Sequence, residues 1–331
     1  MKKKRALYAL VSMVILLMIS VKSALLLCEY VPNAIEVNLT DGTELLITEQ
    51  VFGLAAQIKG NVENNLDKQL FVTNSRYGEI LQLQWEKGEY FSNEKGYYAV
   101  IPDTWAADKE MLTLGEKVYT ICGVYKTNPW ERNAVIYVSP GKEEIFAEKA
   151  LIAGHEEPVQ QLLYNASENS GVFMSGKIFD LRSVRILALQ FPYLGFFFGM
   201  CFVLVKMFFY GRNVLIDLYD WKEKSSLSFL KQVLKAIFVI GTACVMFRLL
   251  LNGIHIPKEY LPPDNLFDWT HYWNLVMDFQ EKKIMLSSLR NSVDAIAFFV
   301  PFIVGNSTLV ILAFGIFVMN CDKYDLEFWS G

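Results

Sequence analysis

The sequence is poor in the residues that enzymes and nucleic-acid-binding proteins use. Charged residues make up only 20% of the 331-residue chain, the net charge is −4, and there are three histidines and five cysteines. A phosphate backbone is held by concentrated Lys and Arg, and this chain has no such concentration outside the ends of hydrophobic runs, which excludes a nucleic-acid-binding surface. The cysteine positions predict neither a disulfide framework nor a Cys-x-x-Cys metal site.

Motifs for catalysis are also missing from the sequence. It contains no His-Glu-x-x-His zinc helix, no Gly-x-Ser-x-Gly nucleophile elbow and no Gly-x-x-x-x-Gly-Lys-Ser/Thr phosphate loop. We therefore expect no catalytic residue, no cofactor and no metal ion in this chain. Any ATP hydrolysis linked to its function is expected to come from a separate protein.

Apolar residues, by contrast, reach 53% of the chain and are concentrated in long runs. A helix needs about 20 apolar residues to cross the hydrocarbon core of a bilayer. The runs of sufficient length cover approximately residues 6–27, 186–209, 230–251 and 293–319. They predict a multi-pass membrane protein. The first run has the charged start of a cleavable signal peptide, but an uncleaved anchor is favoured because apolar residues resume after Lys22.

The distribution of Lys and Arg predicts the orientation in the cell membrane. The basic residues 2–5 and the basic link 210–230 are predicted to lie inside, and the balanced loop 252–292 outside. Both termini are then cytoplasmic. Residues 1–28 comprise the N-terminus and the first span, residues 29–185 form a domain outside the cytoplasm, and residues 186–331 contain three further spans.

The periodicity of residues 29–185 predicts an α+β domain inserted between the membrane helices. Apolar residues that alternate with polar ones indicate strands, and a longer apolar phase indicates helices. The predicted strands cover residues 68–74, 80–85, 117–125 and 134–138. The predicted helices cover residues 51–58 and 103–112.

Three short motifs in this domain resemble the MacB-type periplasmic core domain. Residues 85–92 (Trp-Glu-Lys-Gly-Glu-Tyr-Phe-Ser) are similar to a turn of that family with a large residue, a Gly and Phe-Ser. Residues 98–106 look like its strand into a helix, and residues 115–126 resemble its next segment, with Gly-Val near the end. The order of the motifs, with one predicted span before the domain and three after it, resembles MacB- and FtsX-like ABC transporter permeases.

The resemblance implies a function that needs no active site in this chain. Members of the family are non-ATPase membrane subunits, or membrane halves, of ABC systems in which cytoplasmic ATP hydrolysis moves the outer domain. An ABC ATP-binding subunit is therefore the expected partner, and a homodimer or a pair with a related permease is expected by analogy. The motif residues Gly88, Phe91, Gly123 and Val124 are interpreted as structural, in turns and in the core.

The cytoplasmic link contains the candidate contact with an ATPase. Four apolar residues share one face of a predicted amphipathic helix over residues 213–224. They are Val214, Leu215, Leu218 and Trp221. The segment lacks the Arg-x-Glu-Ile-Gly sequence usual in the family, so two alternatives stay open. One is a plain interfacial helix, and the other is a ligand-binding or scaffold protein of the same fold without an ATPase.

The spans and the outer loop supply further candidate sites. Arg248 and Asp294 are predicted near the outer ends of the third and fourth spans, where they form an ion pair or separately reach the interface. Gly195 and Gly199 are spaced for close helix packing, within the chain or across a dimer. Aromatic residues of the outer loop predict a re-entrant or surface-lying helix. They are Phe267, Trp269, Tyr272, Trp273 and Phe279.

Overall fold

The chain forms two compact units in the computed structural model. The structure describes residues 2–39, 45–48, 52–58, 69–92, 95–105, 110–131, 134–154, 157–171, 176–219, 226–257, 260–265 and 268–320. The first unit, called the sheet unit, comprises Leu26–Arg185 and Pro257–Phe299. The second, called the helical unit, comprises Met1–Leu25, Ile186–Ile256 and Val300–Gly331. The segment predicted as an outer loop therefore belongs mostly to the same unit as the sheet.

Long helices account for most of the described chain outside the sheet. The helices are α1 (Lys2–Tyr30), α2 (Ser75–Ile80), α3 (Val159–Ser170), α4 (Leu181–Tyr219), α5 (Ser226–Asn252), α6 (Trp269–Met285) and α7 (Arg290–Asn320). Within the described residues, four stretches are long and apolar enough to cross a membrane. They are Lys4–Tyr30, Leu181–Val214, Phe229–Asn252 and Ser287–Asn320. The four predicted hydrophobic spans are thus confirmed as helices of membrane-crossing length.

The sheet is mixed and contains ten strands in the described residues. They are β1 (Ala34–Leu39), β2 (Gly53–Ile58), β3 (Gln69–Thr73), β4 (Trp85–Gly88), β5 (Tyr98–Pro102), β6 (Met111–Leu114), β7 (Lys117–Tyr125), β8 (Val135–Val138), β9 (Lys149–Ala153) and β10 (Gly176–Asp180). Their order is β10-β1-β9-β2-β3-β8-β5-β7-β4, with β6 beside β7. The pairs β3/β8 and β5/β7 are parallel. The prediction of an α+β domain is confirmed.

The two faces of the sheet bury different chemistry. Because side chains alternate along a strand, Ile35 and Val37 of β1 enter an apolar core on one face, where Leu162 and Ala166 of α3 also pack. The spacing of these two α3 residues, i and i+4, places them on one side of the helix. Glu36 of β1 points to the opposite face, which carries buried polar and aromatic side chains.

Three strand predictions agree with the structure, and three other predictions are wrong. The segments around β3, β7 and β8 are strands, as predicted. The segment 51–58 was predicted as helix, but from Gly53 it is strand β2, whose buried run from Phe52 to Ala56 hides the period of two.

The other two errors arise where a side-chain cap or the pairing of strands determines the backbone conformation. Residues 80–85 were predicted as a strand, but Ile80 ends α2, which starts because the Asn74 side chain accepts a hydrogen bond from the Tyr77 amide at 2.9 Å. Residues 103–112 were predicted as a helix. Among its described residues, Asp103–Trp105 forms a short 3-10 turn, and from Met111 the chain is strand β6, paired with β7. Residues 106–109 lie outside the described residues.

The close pairing of β4 with β7 leaves no room for side chains at two motif glycines. Gly88 has φ +71°, and a Cβ there would lie 2.1 Å from the carbonyl oxygen of Cys122. A Cβ on Gly123 would lie 2.5 Å from the carbonyl oxygen of Glu89. Phe91, which follows β4, and Val124 of β7 are also buried. The four motif residues therefore occupy tight or buried positions, in keeping with their structural interpretation.

The close pairing of β4 with β7 predicts that a methyl group at Gly88 lowers the stability of the protein. Gly88→Ala should lower the free energy of unfolding by about 2 kcal/mol or more, because it adds an overlap with backbone to the strain of a left-handed conformation. Gly115→Ala is the matched control, since Gly115 has φ +60° with nothing within 4 Å of an added Cβ, and it should cost about 1 kcal/mol. Denaturant unfolding of the full chain in detergent measures the stability of both variants. Equal losses of stability would contradict the close approach of β4 and β7 at Gly88.

Candidate functional site

A buried ion pair lies between two neighbouring strands of the sheet. Nζ of Lys149 on β9 is 3.3 Å from Oε1 of Glu36 on β1, and the two side chains are only 9% and 2% exposed. The antiparallel register pairs Asn38 with Lys149 and Glu36 with Leu151, so the charges meet diagonally on one face. Burying two charges is costly even when they are paired. We expect the pair to favour this arrangement of the strands over alternatives that would separate the charges.

The residues just before α7 complete the shell of this pair. Ser287–Leu289 forms one 3-10 turn directly ahead of α7. Lys149 Nζ donates to Ser287 Oγ at 3.1 Å, and Ser288 Oγ donates to Glu36 Oε2 at 3.3 Å. The Tyr137 hydroxyl of β8 donates to the Ser288 carbonyl at 3.0 Å. We call these five residues the polar cluster, and it joins three strands to the start of the fourth candidate span.

Aromatic rings surround Tyr137 and approach Lys149 in the polar cluster. Tyr137 lies in the middle, with the ring centroids of Tyr77, Tyr90 and Tyr125 at 6.2, 6.1 and 6.4 Å. The Tyr90 hydroxyl is 2.6 Å from that of Thr73, which satisfies both groups. Lys149 Nζ also lies 5.7 Å from the centre of the Phe71 ring, within range of a cation–π contact.

Burial changes the acid–base behaviour of the cluster. It raises the pKa of Glu36 above the ordinary value of 4.5, and the positive charge of Lys149 opposes this rise without cancelling it. Burial, assisted by the charge of Glu36, also raises the pKa of Tyr77. The contribution of Glu36 to stability is therefore complete below pH 4.5 and is lost as the pH rises through its folded-state pKa.

The first two candidate spans lead into adjacent strands of the sheet. Only residues 31–33 separate α1 from β1, and β10 continues into α4 without an intervening residue. Strands β1 and β10 are paired from Ile35–Asp180 to Leu39–Gly176. Asp180 accepts a hydrogen bond from the Arg182 amide at 2.9 Å and binds its guanidinium through both carboxylate oxygens at 2.9 Å. The start of α4 is thus fixed on the edge strand.

Further contacts connect the helix ends to one another within the sheet unit. Arg185 Nη1 of α4 donates to the Val31 carbonyl at 2.6 Å, next to the end of α1. Ser292 Oγ of α7 donates to the Tyr30 carbonyl at 2.8 Å. The Trp130 ring stacks on Phe298 of α7 with centroids 5.1 Å apart. The end of α1 and the starts of α4 and α7 are therefore joined by direct contacts.

The structure shows the burial and neighbours of the charged residues and glycines that were predicted to matter within the spans. Asp294 is buried, and Arg290 Nε lies 3.4 Å from its Oδ1 one turn earlier in α7. Arg248 is exposed on α5, and its pairing with Asp294 stays a prediction. A Cβ on Gly195 would lie 2.8 Å from the Ser307 carbonyl oxygen, and one on Gly199 would lie 2.0 Å from the Phe314 ring. Both glycines therefore lie directly against α7 of the same chain.

The candidate coupling helix is only partly described. Residues 213–219 are the last part of α4, which runs on from the second candidate span. Val214 is half-buried. The side chains of Leu215 and Leu218 are not described, and Trp221 lies outside the described residues. In the predicted outer helix, Phe267 also lies outside the described residues.

Sequence patterns pointed to none of the residues of the polar cluster. The available signal is that Glu36 interrupts the apolar strand β1 and Lys149 begins the apolar strand β9. A charge within an apolar strand usually needs a partner. The partner could not be identified, because the two residues are 113 positions apart.

Comparisons with known proteins give no family for this chain. No protein-family model matches the sequence, and no curated protein matches it significantly. Its function is therefore inferred from its own geometry.

Removal of one charge from the buried pair should be strongly destabilising. Lys149→Met leaves Glu36 buried without its counter-ion and should lower the free energy of unfolding by about 3 kcal/mol or more. Lys177→Met, at an exposed position on the edge strand β10, is the matched control and should change it by less than about 0.5 kcal/mol.

The double variant Glu36→Gln/Lys149→Met separates the pair from simple packing. It should be less destabilised than the sum of its two single variants, because no uncompensated charge remains. Denaturant unfolding in detergent measures the stability of the unmodified chain, the two single variants, the double variant and Lys177→Met. A Lys149→Met variant as stable as Lys177→Met would show that the ion pair does not hold the sheet together.

Proposed function

We propose that this chain is the non-ATPase membrane subunit of an ABC-type export or mechanotransmission system. One span precedes the sheet domain, which is the domain predicted over residues 29–185, and three spans follow it. The sheet domain lies outside the cytoplasm, and both termini lie inside the cell. A partner ATPase in the cytoplasm moves the spans, and the spans move the sheet domain. The observation that carries this proposal is that three candidate spans are joined to the sheet by short, hydrogen-bonded junctions.

Helix length supports transmission of movement out of the membrane. The stretches Leu181–Val214 and Ser287–Asn320 have 34 residues each. At about 1.5 Å per residue they are about 50 Å long, which is about 20 Å more than the hydrocarbon core of a bilayer. A helix that continues beyond the membrane carries a displacement to its far end, whereas a flexible linker absorbs it.

The junctions support the same mechanism from the side of the sheet. Strands β1 and β10 lie side by side, so a shift of α1 against α4 acts directly on one pair of strands. The double contact of Arg182 with Asp180 and the bond from Arg185 to Val31 resist bending at these points. The polar cluster provides a third attachment through Ser287 and Ser288, ahead of α7.

The energy source must be a separate ATPase, since the chain has no phosphate loop. The end of α4 and the link after it are the proposed contact with this partner, through Val214, Leu215, Leu218 and Trp221. One observation favours the alternative of a ligand-binding scaffold without an ATPase. The link lacks the sequence by which the permease family usually couples to its ATP-binding subunit.

Affinity purification distinguishes the two functions. The tagged full chain is purified in mild detergent, and bound proteins are identified by mass spectrometry. We expect a stoichiometric ATP-binding protein that is lost in the Leu218→Asp/Trp221→Asp variant, because charged side chains cannot pack in an apolar contact. Ile216→Asp is the matched control, because residue 216 falls on the opposite side of the helix, and it should keep the partner.

The outcomes have clear meanings for the proposal. Loss of the ATPase in the double variant alone supports the coupling helix. An ATPase that is retained in every variant supports the subunit but not this contact. A folded chain that recovers no ATP-binding protein contradicts the ABC subunit and favours the scaffold.

A further inference from the structure

Helix α6 of the sheet unit exposes an apolar stripe that contains two tryptophans. Trp269 and Trp273 are 78% and 65% exposed, and Val276 and Met277 are exposed beside them. The spacing i, i+4, i+7 and i+8 places all four on one face of the helix. Large exposed apolar patches of this kind mark surfaces that bind something other than water.

The other faces of α6 show that the stripe is not a misplaced part of the core. Tyr272, Leu275 and Phe279 form a separate half-buried stripe, and the Phe279 ring packs on Phe179 of β10 with centroids 5.9 Å apart. A third face is polar and exposed. It carries Thr270, Asn274, Asp278 and Glu281. The helix is therefore fixed against the sheet by one side while its tryptophans point away.

We propose that the stripe of Trp269, Trp273, Val276 and Met277 inserts into the headgroup layer of the bilayer. The first support is its position in the chain. Helix α6 lies between the candidate span that ends at Asn252 and the one that begins at Ser287. With 17 residues it is about 25 Å long, and Leu286 alone separates it from the stretch that begins at Ser287.

The second support is the chemistry of the stripe and its surroundings. Tryptophan is enriched at membrane interfaces, because its ring is largely apolar and its N–H is polar. The adjoining polar face would stay in water when the apolar stripe enters the bilayer, as in interfacial helices. Exposed apolar side chains also flank this segment along the chain, at Leu249 and Leu251 of α5 and at Phe298 and Phe302 of α7. The stripe thus resembles in composition the exposed apolar surface of the candidate spans.

Spin labels on two faces of α6 test the proposal. The native cysteines are replaced by serine, and a nitroxide is attached at Trp273→Cys or, as the matched control, at Asp278→Cys on the polar face. The full chain is placed in phosphatidylcholine nanodiscs, and power saturation measures collisions with oxygen and with a water-soluble nickel chelate. We expect residue 273 to favour oxygen severalfold over nickel and residue 278 to show the reverse. Met277→Cys repeats the measurement with both tryptophans intact.

Two results would overturn the proposal. Nickel access at positions 273 and 277 equal to that at position 278 would place the stripe in water. Shielding of positions 273 and 277 from both reagents would mean that protein covers the stripe, such as a second copy of this chain. Neither result depends on an ATPase partner, so this test is independent of the proposed coupling function.

Discussion

Two opposite charges are buried between adjacent strands, and neither can lose its partner without leaving an unpaired charge in an apolar interior. Ser287 and Ser288 supply further hydrogen bonds to Lys149 and Glu36. The turn before α7 is therefore part of the interior of the sheet unit. Its position depends on the register of β1 and β9, and the register depends on it in turn.

This dependence explains why the sheet and the helix ends form one unit. Asp180 fixes the start of α4, Ser292 binds the last residue of α1, and the polar cluster fixes the turn before α7. Helices that are longer than the bilayer is thick reach these contacts without flexible linkers. A chain built in this way can pass a movement of its spans to the sheet, which is the physical basis of the proposed role beside an ATPase.

Helices and strands that depend on local patterns could be predicted from the sequence. Those that depend on contacts between distant residues could not. The four spans follow from run length. Strand β7 follows from the alternation of its residues, and β3 and β8 follow from short runs rich in apolar and aromatic residues. Strand β2 was missed because its short apolar run also fits a helical phase, and periodicity alone cannot distinguish the two. Helix α2 was missed because Asn74 caps it while also bonding to Phe52 and Leu54. The polar cluster depends on the strand register and on a distant turn, neither of which periodicity reveals.

Hydrogen exchange at the turn before α7 tests most directly whether the cluster holds this turn on the sheet. The reporter is the Leu289 amide, which donates to the Leu286 carbonyl at 3.0 Å. Tyr137→Phe removes the hydroxyl that binds Ser288 and should speed this exchange about fivefold, the equivalent of about 1 kcal/mol. Tyr90→Phe, whose hydroxyl pairs with Thr73, should leave it unchanged. Equal exchange in Tyr137→Phe and the unmodified chain would contradict the account.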